Sequence, residues 1–323
     1  METPSVSVVI PTYNRAALLL DTLESVFRQT HPASEVIVAD DGSSDHTEAA
    51  LLPFRDRVRY VRQEHRGHDA AARNLGIRHS SCDYIAFVDS DDLWLPDKLA
   101  RQLALFGERP ELALVYSDGW CFDGATGQDL YTIHRFSSPQ AGWVGPSLLR
   151  GNFIPTSSVM VRRAALDAVG TFSEDPVLHL RSDWEFWLRL ASRYQVGYLD
   201  TPLFRYRMHA QNTTRREDPL HAHRSCVRAM RGAVAFAPEL YEPQYRRALA
   251  AQYSHTASAY VALDRIAEAR AMYAQALRLD PRFLPAYPFL LGTLLGATPM
   301  RGLRGAYLWW QGQRSGDPRR AEG

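Results

Sequence analysis

The sequence predicts an α/β protein with a mixed, mostly parallel sheet flanked by helices, followed by a separate α-helical region. Short apolar runs rich in β-branched residues alternate with segments of helical periodicity up to about residue 116. After about residue 215 this alternation stops, and Ala, Arg and Leu dominate a helical pattern. The length of 323 residues is enough for one large domain or two modest ones, since single cores stop growing at about 250–300 residues.

The individual strands and helices follow in chain order and indicate a doubly wound sheet with right-handed crossovers. Buried strands are predicted at residues 6–10, 36–39, 58–61, 84–88 and 114–116. Helices are predicted between them, at residues 15–29, 46–52, 69–79 and 96–106. Asn14 is placed to cap the first helix, Pro11 to end the first strand and Pro96 to occupy the first turn of the fourth helix. Because ligands of such sheets bind beyond the carboxyl ends of the strands, the residues after each strand form the candidate site.

Composition and charge argue against several classes of function. With 37 basic and 36 acidic residues the net charge is +1, so we expect no nucleic-acid partner, and the charge of the whole sequence gives no electrostatic reason to expect an anionic membrane surface as partner. The three cysteines lack metal-type spacing, which argues against a disulfide framework or a zinc site. The absence of GxGxxG and GxxxxGK[ST] loops argues against a dinucleotide cofactor or a P-loop. The amino terminus shows no signal-peptide pattern, and we expect a cytoplasmic protein.

Acidic residues accumulate after two of the predicted strands. Asp40 and Asp41 follow the second strand, and Asp89, Asp91 and Asp92 follow the fourth. So many carboxylates at one sheet edge repel one another unless a cation is present. If the pleat of the strand continues, Asp89 and Asp91 point the same way and can share a hard divalent cation that also contacts substrate phosphates. The alternative is a solvated, aspartate-rich turn.

Six motifs in the first two thirds of the chain resemble those of family-2-type inverting glycosyltransferases. They are VSVVIPTYNR at 6–15, VADDGSSD at 38–45, the stretch at 67–74, FVDSDDLWLPDKL at 87–99, SDWEFWLRL at 182–190 and YRMH at 206–209. The resemblance implies the Rossmann-like GT-A fold and inverting transfer of a hexose from a nucleotide-diphosphate sugar. It also implies Mn²⁺ or Mg²⁺ as cofactor, and a glycan, a lipid-linked or a cell-envelope acceptor.

The resemblance assigns the metal contact chiefly to Asp91, with Asp89 near the metal or the ribose. His209 matches a position near the metal or the diphosphate, where a neutral imidazole can ligate and a charged one can pair with phosphate. The alternative for His209 is an exposed loop position. Arg205 and Arg207 lie close to it in sequence and offer charge to the diphosphate.

The resemblance also implies a set of donor-binding residues, namely Pro11, Tyr13, Asp41, Arg73, Asp89 and Ser90. Tyr13 is expected to lie against the face of the base. Asp41 is expected to accept from a ring N–H of the base, which favours a UDP- or dTDP-sugar. Arg73 suits either a phosphate or the base-binding carboxylate, and its alternative is a surface ion pair. The alternative for Asp41 is a strand-to-helix turn.

A general base is expected in the aromatic-rich helix at 182–190. Inversion by direct displacement needs a base that deprotonates the acceptor hydroxyl, and the resemblance aligns Asp183 with that base. Ser182 stands where the family usually has Glu, which removes a neighbouring charge. Glu185 is the competing base, and it lies about 200° around the helix from Asp183, so only one of the two can face the site. Trp184 is the residue to test for stacking on an acceptor sugar.

We expect two domains, a transferase domain at residues 1–215 and a helical region at 216–323. One hairpin, at about 245–281, resembles a tetratricopeptide unit and suits docking or homo-oligomerisation, since a solenoid normally needs at least three repeats. Residues 283–300 carry no charge but are interrupted by Pro and Gly, which favours a buried or surface-lying helix over a membrane span. The tail interleaves arginine with Tyr307, Trp309 and Trp310. It fits either a peripheral contact at the inner face of the plasma membrane or a helix docked on the protein.

A non-catalytic scaffold built on a decayed transferase domain is the alternative function. Ser182 and the appended helical region favour it. The intact aspartates at positions 89, 91 and 183 favour an enzyme, and metal-dependent hydrolysis of a nucleotide sugar would distinguish the two functions.

Overall fold

The computed structural model describes residues 4–209, 212 and 217–294. The chain forms two compact units. The first comprises Met1–Val144 and Phe153–Asn212, and the second comprises Gly145–Asn152 and Thr213–Gly323. The short segment 145–152 therefore belongs to the second unit, although it precedes a large part of the first in sequence.

Within the described residues, the first unit is built on a nine-stranded mixed sheet, which confirms the predicted fold class. Its strands are β1 Val6–Thr12, β2 Glu35–Asp40, β3 Arg59–Arg62, β4 Tyr84–Phe87, β5 Leu93–Trp94, β6 Leu112–Asp123, β7 Asp129–Thr132, β8 Met160–Arg162 and β9 Gln195–Met208. They are ordered β3-β2-β1-β4-β8-β6-β9-β5, and β7 pairs with β6. The first four strands in this order are parallel, β8 is antiparallel to both of its neighbours, and β6 is parallel to β9. The carboxyl ends of β1, β2, β3 and β4 therefore meet at one edge.

The helices alternate with the strands in the first unit and dominate the second. They are α1 Ala16–Phe27, α2 Thr47–Leu51, α3 Asp69–Arg78, α4 Lys98–Glu108, α5 Gly145–Leu148, α6 Arg163–Val169, α7 Ser182–Ala191, α8 Pro219–Phe236, α9 Pro238–Ala262, α10 Ile266–Leu279 and α11 Ala286–Gly292. Gly76 lets α3 pack closely on the sheet, because a Cβ at this position would collide with the Val9 side chain. This close packing brings the polar residues of α3 to the carboxyl edge of the sheet.

Two prolines sit differently from their predicted positions. Strand β1 continues through Pro11 to Thr12. The carbonyl of Val9 accepts from the backbone N–H of Val88, so Val9 faces β4. The nitrogen of Pro11, two residues further on, faces the same side. The pairing with β4 has already ended there, so the missing N–H of proline costs no hydrogen bond. Pro96 lies two residues before α4, because the N-cap of this helix is the next residue, Asp97. The carbonyl of Pro96 accepts from the backbone N–H of Thr30.

Asn14 does not cap α1, contrary to the prediction. It adopts a positive φ of 50°, and its side-chain oxygen accepts from the backbone N–H groups of Ser44 (2.8 Å) and Asp45 (3.1 Å). Asp45 in turn accepts from the N–H of Ala16 at 3.3 Å. The loops that follow β1 and β2 therefore cap each other, which fixes the carboxyl ends of both strands.

The described part of the second unit is helical. Helices α9 and α10 form a hairpin whose turn contains Asp264 with φ +62°, and α10 ends at Leu279, as the sequence predicts. Small and aromatic side chains fill the space between them, including Ala257, Ala269 and Tyr273. The predicted tail, with Tyr307, Trp309 and Trp310, lies outside the described residues.

Candidate active site

The residues that follow β4 form a tight turn at the carboxyl edge of the sheet. The backbone N–H of Asp92 donates to the carbonyl of Asp89 at 3.0 Å, so the pleat does not continue past β4. This corrects the expectation that Asp89 and Asp91 point the same way along a strand. The turn gives the carboxylates of Asp89, Asp91 and Asp92 separate partners.

Asp91 meets two nitrogen-bearing side chains from distant parts of the chain. Its Oδ2 accepts from a terminal guanidinium nitrogen of Arg15 at 2.7 Å and lies 3.0 Å from Nε2 of His209. Arg15 precedes α1, and His209 follows β9 directly. His209 therefore faces this carboxylate and is not an exposed loop residue.

Asp89 pairs with a buried arginine of α3. Arg73 donates to Oδ1 of Asp89 at 2.8 Å, and Asp69 lies 3.7 Å away. Burial alone lowers the pKa of Arg73, but these two carboxylates raise it above its ordinary value. Its Nε is buried without a hydrogen-bond partner. Arg73 therefore carries a permanent positive charge at the sheet edge and does not form the surface ion pair weighed as its alternative.

Asp92 lies beneath the turn and is structural. One of its oxygens accepts from the Ser157 hydroxyl at 2.6 Å, and the other accepts from the backbone N–H of Arg207 at 3.0 Å. Burial raises the pKa of Asp92 well above its ordinary value, and the charges of Asp91 and Asp89 raise it further. The charges of Asp91 and Asp89 thus act on Asp92, and a cation bound beside them would offset this effect.

Two side chains near the aspartate turn could hold a divalent cation. Among the described residues, no group of three or more His, Cys, Asp or Glu side chains is arranged to hold a metal, and Asp89 is turned toward Arg73. Asp91 and His209 do converge, and they offer the oxygen and nitrogen atoms that suit Mn²⁺. Mg²⁺ and similar ions commonly use one or two protein ligands and take the remainder from water and substrate phosphates. These two residues fit such a cation.

A 3-10 turn, Thr156–Ser158, links the aspartate turn to α7. The Ser157 hydroxyl accepts from the backbone N–H of Asp89 at 3.1 Å and donates to Asp92, while its carbonyl accepts from the Trp94 indole at 2.8 Å. The preceding residue, Thr156, donates through its hydroxyl to Oδ2 of Asp183 at 3.3 Å. Adjacent side chains of one turn therefore hold the aspartate cluster and Asp183. No motif in the sequence assigns a role to this turn.

Asp183 lies in the first turn of α7 and is half-buried. Burial raises the pKa of its carboxyl group above the ordinary value, although the charge of Arg73 and a hydrogen bond from the N–H of Trp184 (2.6 Å) offset part of this effect. The charges of Asp89 and Arg73 both act on Asp183. The group is therefore a carboxylate of raised basicity next to the aspartate cluster.

The competing acid in α7 is engaged elsewhere. Both carboxylate oxygens of Glu185 accept from Arg189, at 2.8 and 2.9 Å, and Arg189 also donates to the carbonyls of Val169 and Thr171. The pair is buried. Trp184 is also buried, so it offers no exposed face for a sugar, contrary to the prediction. Of the two candidate bases, Glu185 is held by Arg189, whereas Asp183 lies beside the aspartate cluster.

Tyr13 and a histidine that the sequence reasoning missed form an exposed aromatic stack. The rings of Tyr13 and His65 lie 3.9 Å apart between centroids and are inclined by 15°. His65 belongs to the loop after β3, so the rule that ligands bind beyond strand ends could have found it. The stack offers a flat apolar surface at the carboxyl edge of the sheet.

Asp41 organises the loop that carries His65. Its oxygens accept from the backbone N–H groups of Arg66 (3.1 Å) and Gly67 (3.0 Å) and from the side-chain amide of Gln63 (2.7 Å). His65 also lies 2.9 Å from one of these oxygens. Both oxygens thus have partners in the loop that follows β3, and not in the strand-to-helix turn weighed as the alternative for this residue.

The remaining predicted residues lie below the surface of the site or away from it. Pro11 and Ser90 are buried. Arg205 pairs with Asp129 of β7 at 2.7 Å, and Arg207 donates to the carbonyl of Asp91 at 2.8 Å and to Asp21 at 3.0 Å. Because both arginines are already paired with protein groups, they are not free charges for a diphosphate. This corrects the prediction for Arg205 and Arg207.

Comparison with solved structures identifies the class of fold. S. aureus TarS 1–349 in complex with UDP-GlcNAc superposes with a TM-score of 0.67 at 17% identity, covering 94% of this chain and 91% of that one. The mannosyltransferase PcManGT from Pyrobaculum calidifontis, in complex with GDP-Man and Mn²⁺, gives a TM-score of 0.56 at 19% identity, covering 91% and 85%. The fold is the GT-A fold, as the motifs predict.

Comparison of sequences identifies the family. The family model "Glycosyl transferase family 2" matches residues 7–166. The UDP-Glc:alpha-D-GlcNAc-diphosphoundecaprenol beta-1,3-glucosyltransferase WfgD of Escherichia coli is 37% identical over 196 residues, which are 60% of this chain and 73% of that protein. An uncharacterized glycosyltransferase of Rickettsia bellii is 36% identical over 65% of this chain but only 29% of its own length. The chain belongs to glycosyl transferase family 2.

Proposed function

We propose that the protein transfers a hexose, with inversion, from a nucleoside-diphosphate sugar to a hydroxyl group of a cell-envelope or lipid-linked glycan. A UDP- or dTDP-sugar is the favoured donor, and Mn²⁺ or Mg²⁺ the favoured cofactor. The reaction takes place on the cytoplasmic side, at the inner face of the membrane for a lipid-linked acceptor. The E. coli relative is named as a UDP-Glc:alpha-D-GlcNAc-diphosphoundecaprenol glucosyltransferase, which supports this choice of substrates.

The observation that carries the proposal is the 3-10 turn Thr156–Ser158. Through Ser157 it holds the turn of Asp89 and Asp92, and through Thr156 it holds Asp183. A leaving diphosphate and an attacking hydroxyl must lie on opposite sides of the sugar carbon during a direct displacement. One rigid turn therefore fixes the spacing between the proposed leaving-group site and the proposed base, as positioning catalysis requires.

On the donor side, we assign the base to the exposed stack of Tyr13 and His65. Stacking on an aromatic ring tolerates any base, so the preference for uracil or thymine must come from a hydrogen bond. The side-chain amide of Gln63 is the most readily displaced partner of Asp41. A ring N–H of the base takes its place on the carboxylate while the two backbone N–H groups keep the loop in position. Arg73, paired with Asp89, supplies fixed positive charge close to the ribose and diphosphate.

Asp91 and His209 are the residues that would hold the divalent cation. When bound, the cation neutralises charge that develops on the departing diphosphate. The part played by the protein is to keep the two ligands together: His209 is fixed through its backbone N–H, which donates to Asn212 at 2.6 Å. Arg15 donates to the same oxygen, Oδ2 of Asp91, and so restrains rotation of its carboxylate.

Asp183 is assigned as the general base. It accepts the proton of the acceptor hydroxyl at Oδ2, the oxygen that Thr156 contacts with a long hydrogen bond of 3.3 Å. Its raised pKa makes the carboxylate a stronger base than an ordinary aspartate. The buried Ser182, in place of the usual Glu, removes a second negative charge next to this group.

The proposal is tested by the anomer that the enzyme releases. In the absence of acceptor, slow hydrolysis of an α-linked UDP-sugar is followed by proton NMR before mutarotation equilibrates the product. The β-anomer is the first product if water replaces the acceptor in an inverting displacement. Initial release of the α-anomer would contradict inversion, and Asp183→Asn should abolish the β-anomer signal while leaving donor affinity nearly unchanged.

A further inference from the structure

Helix α11 has two apolar faces, of which one is packed and one is exposed. The packed face carries Ala286, Phe289 and Gly292, and Phe289 stacks on Tyr273 of α10 with ring centroids 5.7 Å apart. The opposite face and its flanks carry four exposed apolar side chains, here named the apolar patch: Leu284 (71% exposed), Tyr287 (42%), Leu291 (62%) and Leu294 (66%). Tyr287 and Leu291 lie four residues apart on one side of α11, and Leu284 and Leu294 flank the helix before and after it. Isolated exposed leucines need no explanation, but a contiguous patch indicates a binding surface.

The charge of the surrounding sequence indicates what covers the apolar patch. Residues 281–316 contain four arginines and no acidic residue, in a chain whose net charge is only +1. The same stretch contains Tyr287, Tyr307, Trp309 and Trp310. Arginine combined with aromatic and leucine side chains is the composition of segments that lie in the interface of an anionic membrane.

A second copy of the chain fits the patch less well. The four side chains together expose roughly 400–500 Å², about half of the ~800 Å² that each partner of a stable interface buries. Within residues 4–209, 212 and 217–294, no helix is both long and apolar enough to cross a membrane. The patch therefore suits a surface contact better than a span.

We propose that the apolar patch is a docking surface for an anionic phospholipid membrane. The side chains of Leu284, Leu291 and Leu294 enter the boundary between headgroups and acyl chains, and Tyr287 lies at headgroup level with its hydroxyl, which donates to the carbonyl of Pro281. Arg282, next to the patch and exposed, faces the lipid phosphates. The packing of Phe289 on Tyr273 holds the patch outward, so no folding step accompanies binding. This surface acts independently of the transfer chemistry proposed above.

The test is cosedimentation of the full chain with lipid vesicles. Vesicles of phosphatidylcholine with about a third phosphatidylglycerol are compared with phosphatidylcholine alone, at low and high salt. We expect binding to the anionic vesicles that weakens at high salt. The double variant Leu284→Glu/Leu291→Glu should lower the partition coefficient by at least about tenfold, because it places charges where two exposed leucines would enter the bilayer.

The matched control is Leu52→Glu, which places the same charge at a leucine of equal exposure (63%) in the first unit. It should bind vesicles like the unmodified chain. Because all three positions are exposed, the variants should keep the melting temperature and the rate of donor hydrolysis. Three results would overturn the proposal: no binding to anionic vesicles, equal binding by the double variant, or self-association that the double variant abolishes without any vesicle binding. Loss of donor hydrolysis in the unmodified chain would refute the proposed function and leave the vesicle result standing.

Discussion

Replacing Glu185 by Gln separates a structural acid from a catalytic one. Both oxygens of Glu185 accept hydrogen bonds from Arg189, and this pair lies on the buried side of α7. Removing one partner of a buried ion pair leaves an uncompensated charge and costs about 3–5 kcal/mol. Glutamine keeps the shape and one acceptor, and Arg189 keeps its bonds to the Val169 and Thr171 carbonyls, so the loss should lie near 3 kcal/mol. For a unit of this size, that corresponds to a fall of about 6–12 °C in melting temperature.

The assay combines calorimetry at neutral pH with turnover measured below the melting transition. Asp183→Asn is the matched comparison, because it makes the same change from acid to amide two residues away. Glu185→Gln should melt early but keep most of its turnover per folded molecule. Asp183→Asn should melt no earlier than the unmodified chain, since burial opposes ionisation of Asp183, but should lose turnover by about two orders of magnitude or more. The reverse pattern, with a stable but inactive Glu185→Gln, would show that the base has been misassigned.

Three further predictions follow from the site. Tyr13→Ala or His65→Ala should weaken nucleotide binding by about tenfold to a hundredfold in titration calorimetry, because one face of the base loses its stacking partner, and unchanged affinity would place the base elsewhere. The acid limb of the kcat–pH profile should lie above the ordinary aspartate pKa of about 3.9. A base whose pKa is raised is active when ionised and loses activity as the pH falls through that value, so a limb at or below 3.9 would argue against Asp183. Ser157→Ala should destabilise the protein by about 1–3 kcal/mol in denaturant titration, since a buried oxygen of Asp92 loses its donor, and a neutral effect would mean that the turn is not the link described here.

The sequence predicts the strands that are apolar on both faces. Strands β1, β2 and β4 lie within a residue or two of their predicted bounds, because burial on both faces makes them continuous Val/Ile-rich runs. Strand β9 has no such signature. Its fourteen residues include Arg205 and Arg207, whose side chains pair with Asp129 and Asp21, which are distant in sequence. Strands β5 and β8 have only two and three residues and carry no periodicity at all.

The same limit explains the predictions made for the site. Tyr13, Asp41, Asp89 and Asp91 could be placed because each follows a strand, and strand ends are visible in the sequence. Which of the two acids in α7 is held in a buried ion pair could not be predicted, since the answer lies in the pairing of Glu185 with Arg189 one helical turn further on. Local spacing gives the angle between two side chains but not which of them is buried.

Other features of the site depend on contacts between distant segments. Asn14 caps a loop and not a helix because Ser44 and Asp45 arrive from the next strand. Ser157 reaches Asp89 and Asp92 across more than sixty residues. Contacts of this kind form only when distant segments come together in the folded chain. They therefore produce no periodic sequence pattern from which they could be predicted.

Donor binding with and without metal is the most direct test of the proposed transfer. UDP-, dTDP- and GDP-sugars are titrated by calorimetry into the full chain and into Asp91→Asn, each with Mn²⁺, with Mg²⁺ or with a chelator. We predict that the unmodified chain binds a UDP- or dTDP-sugar when metal is present, that the chelator weakens this binding strongly, and that Asp91→Asn is insensitive to metal. Binding that is equally tight with the chelator, or no binding of any donor by the folded protein, would contradict metal-dependent glycosyl transfer at this site.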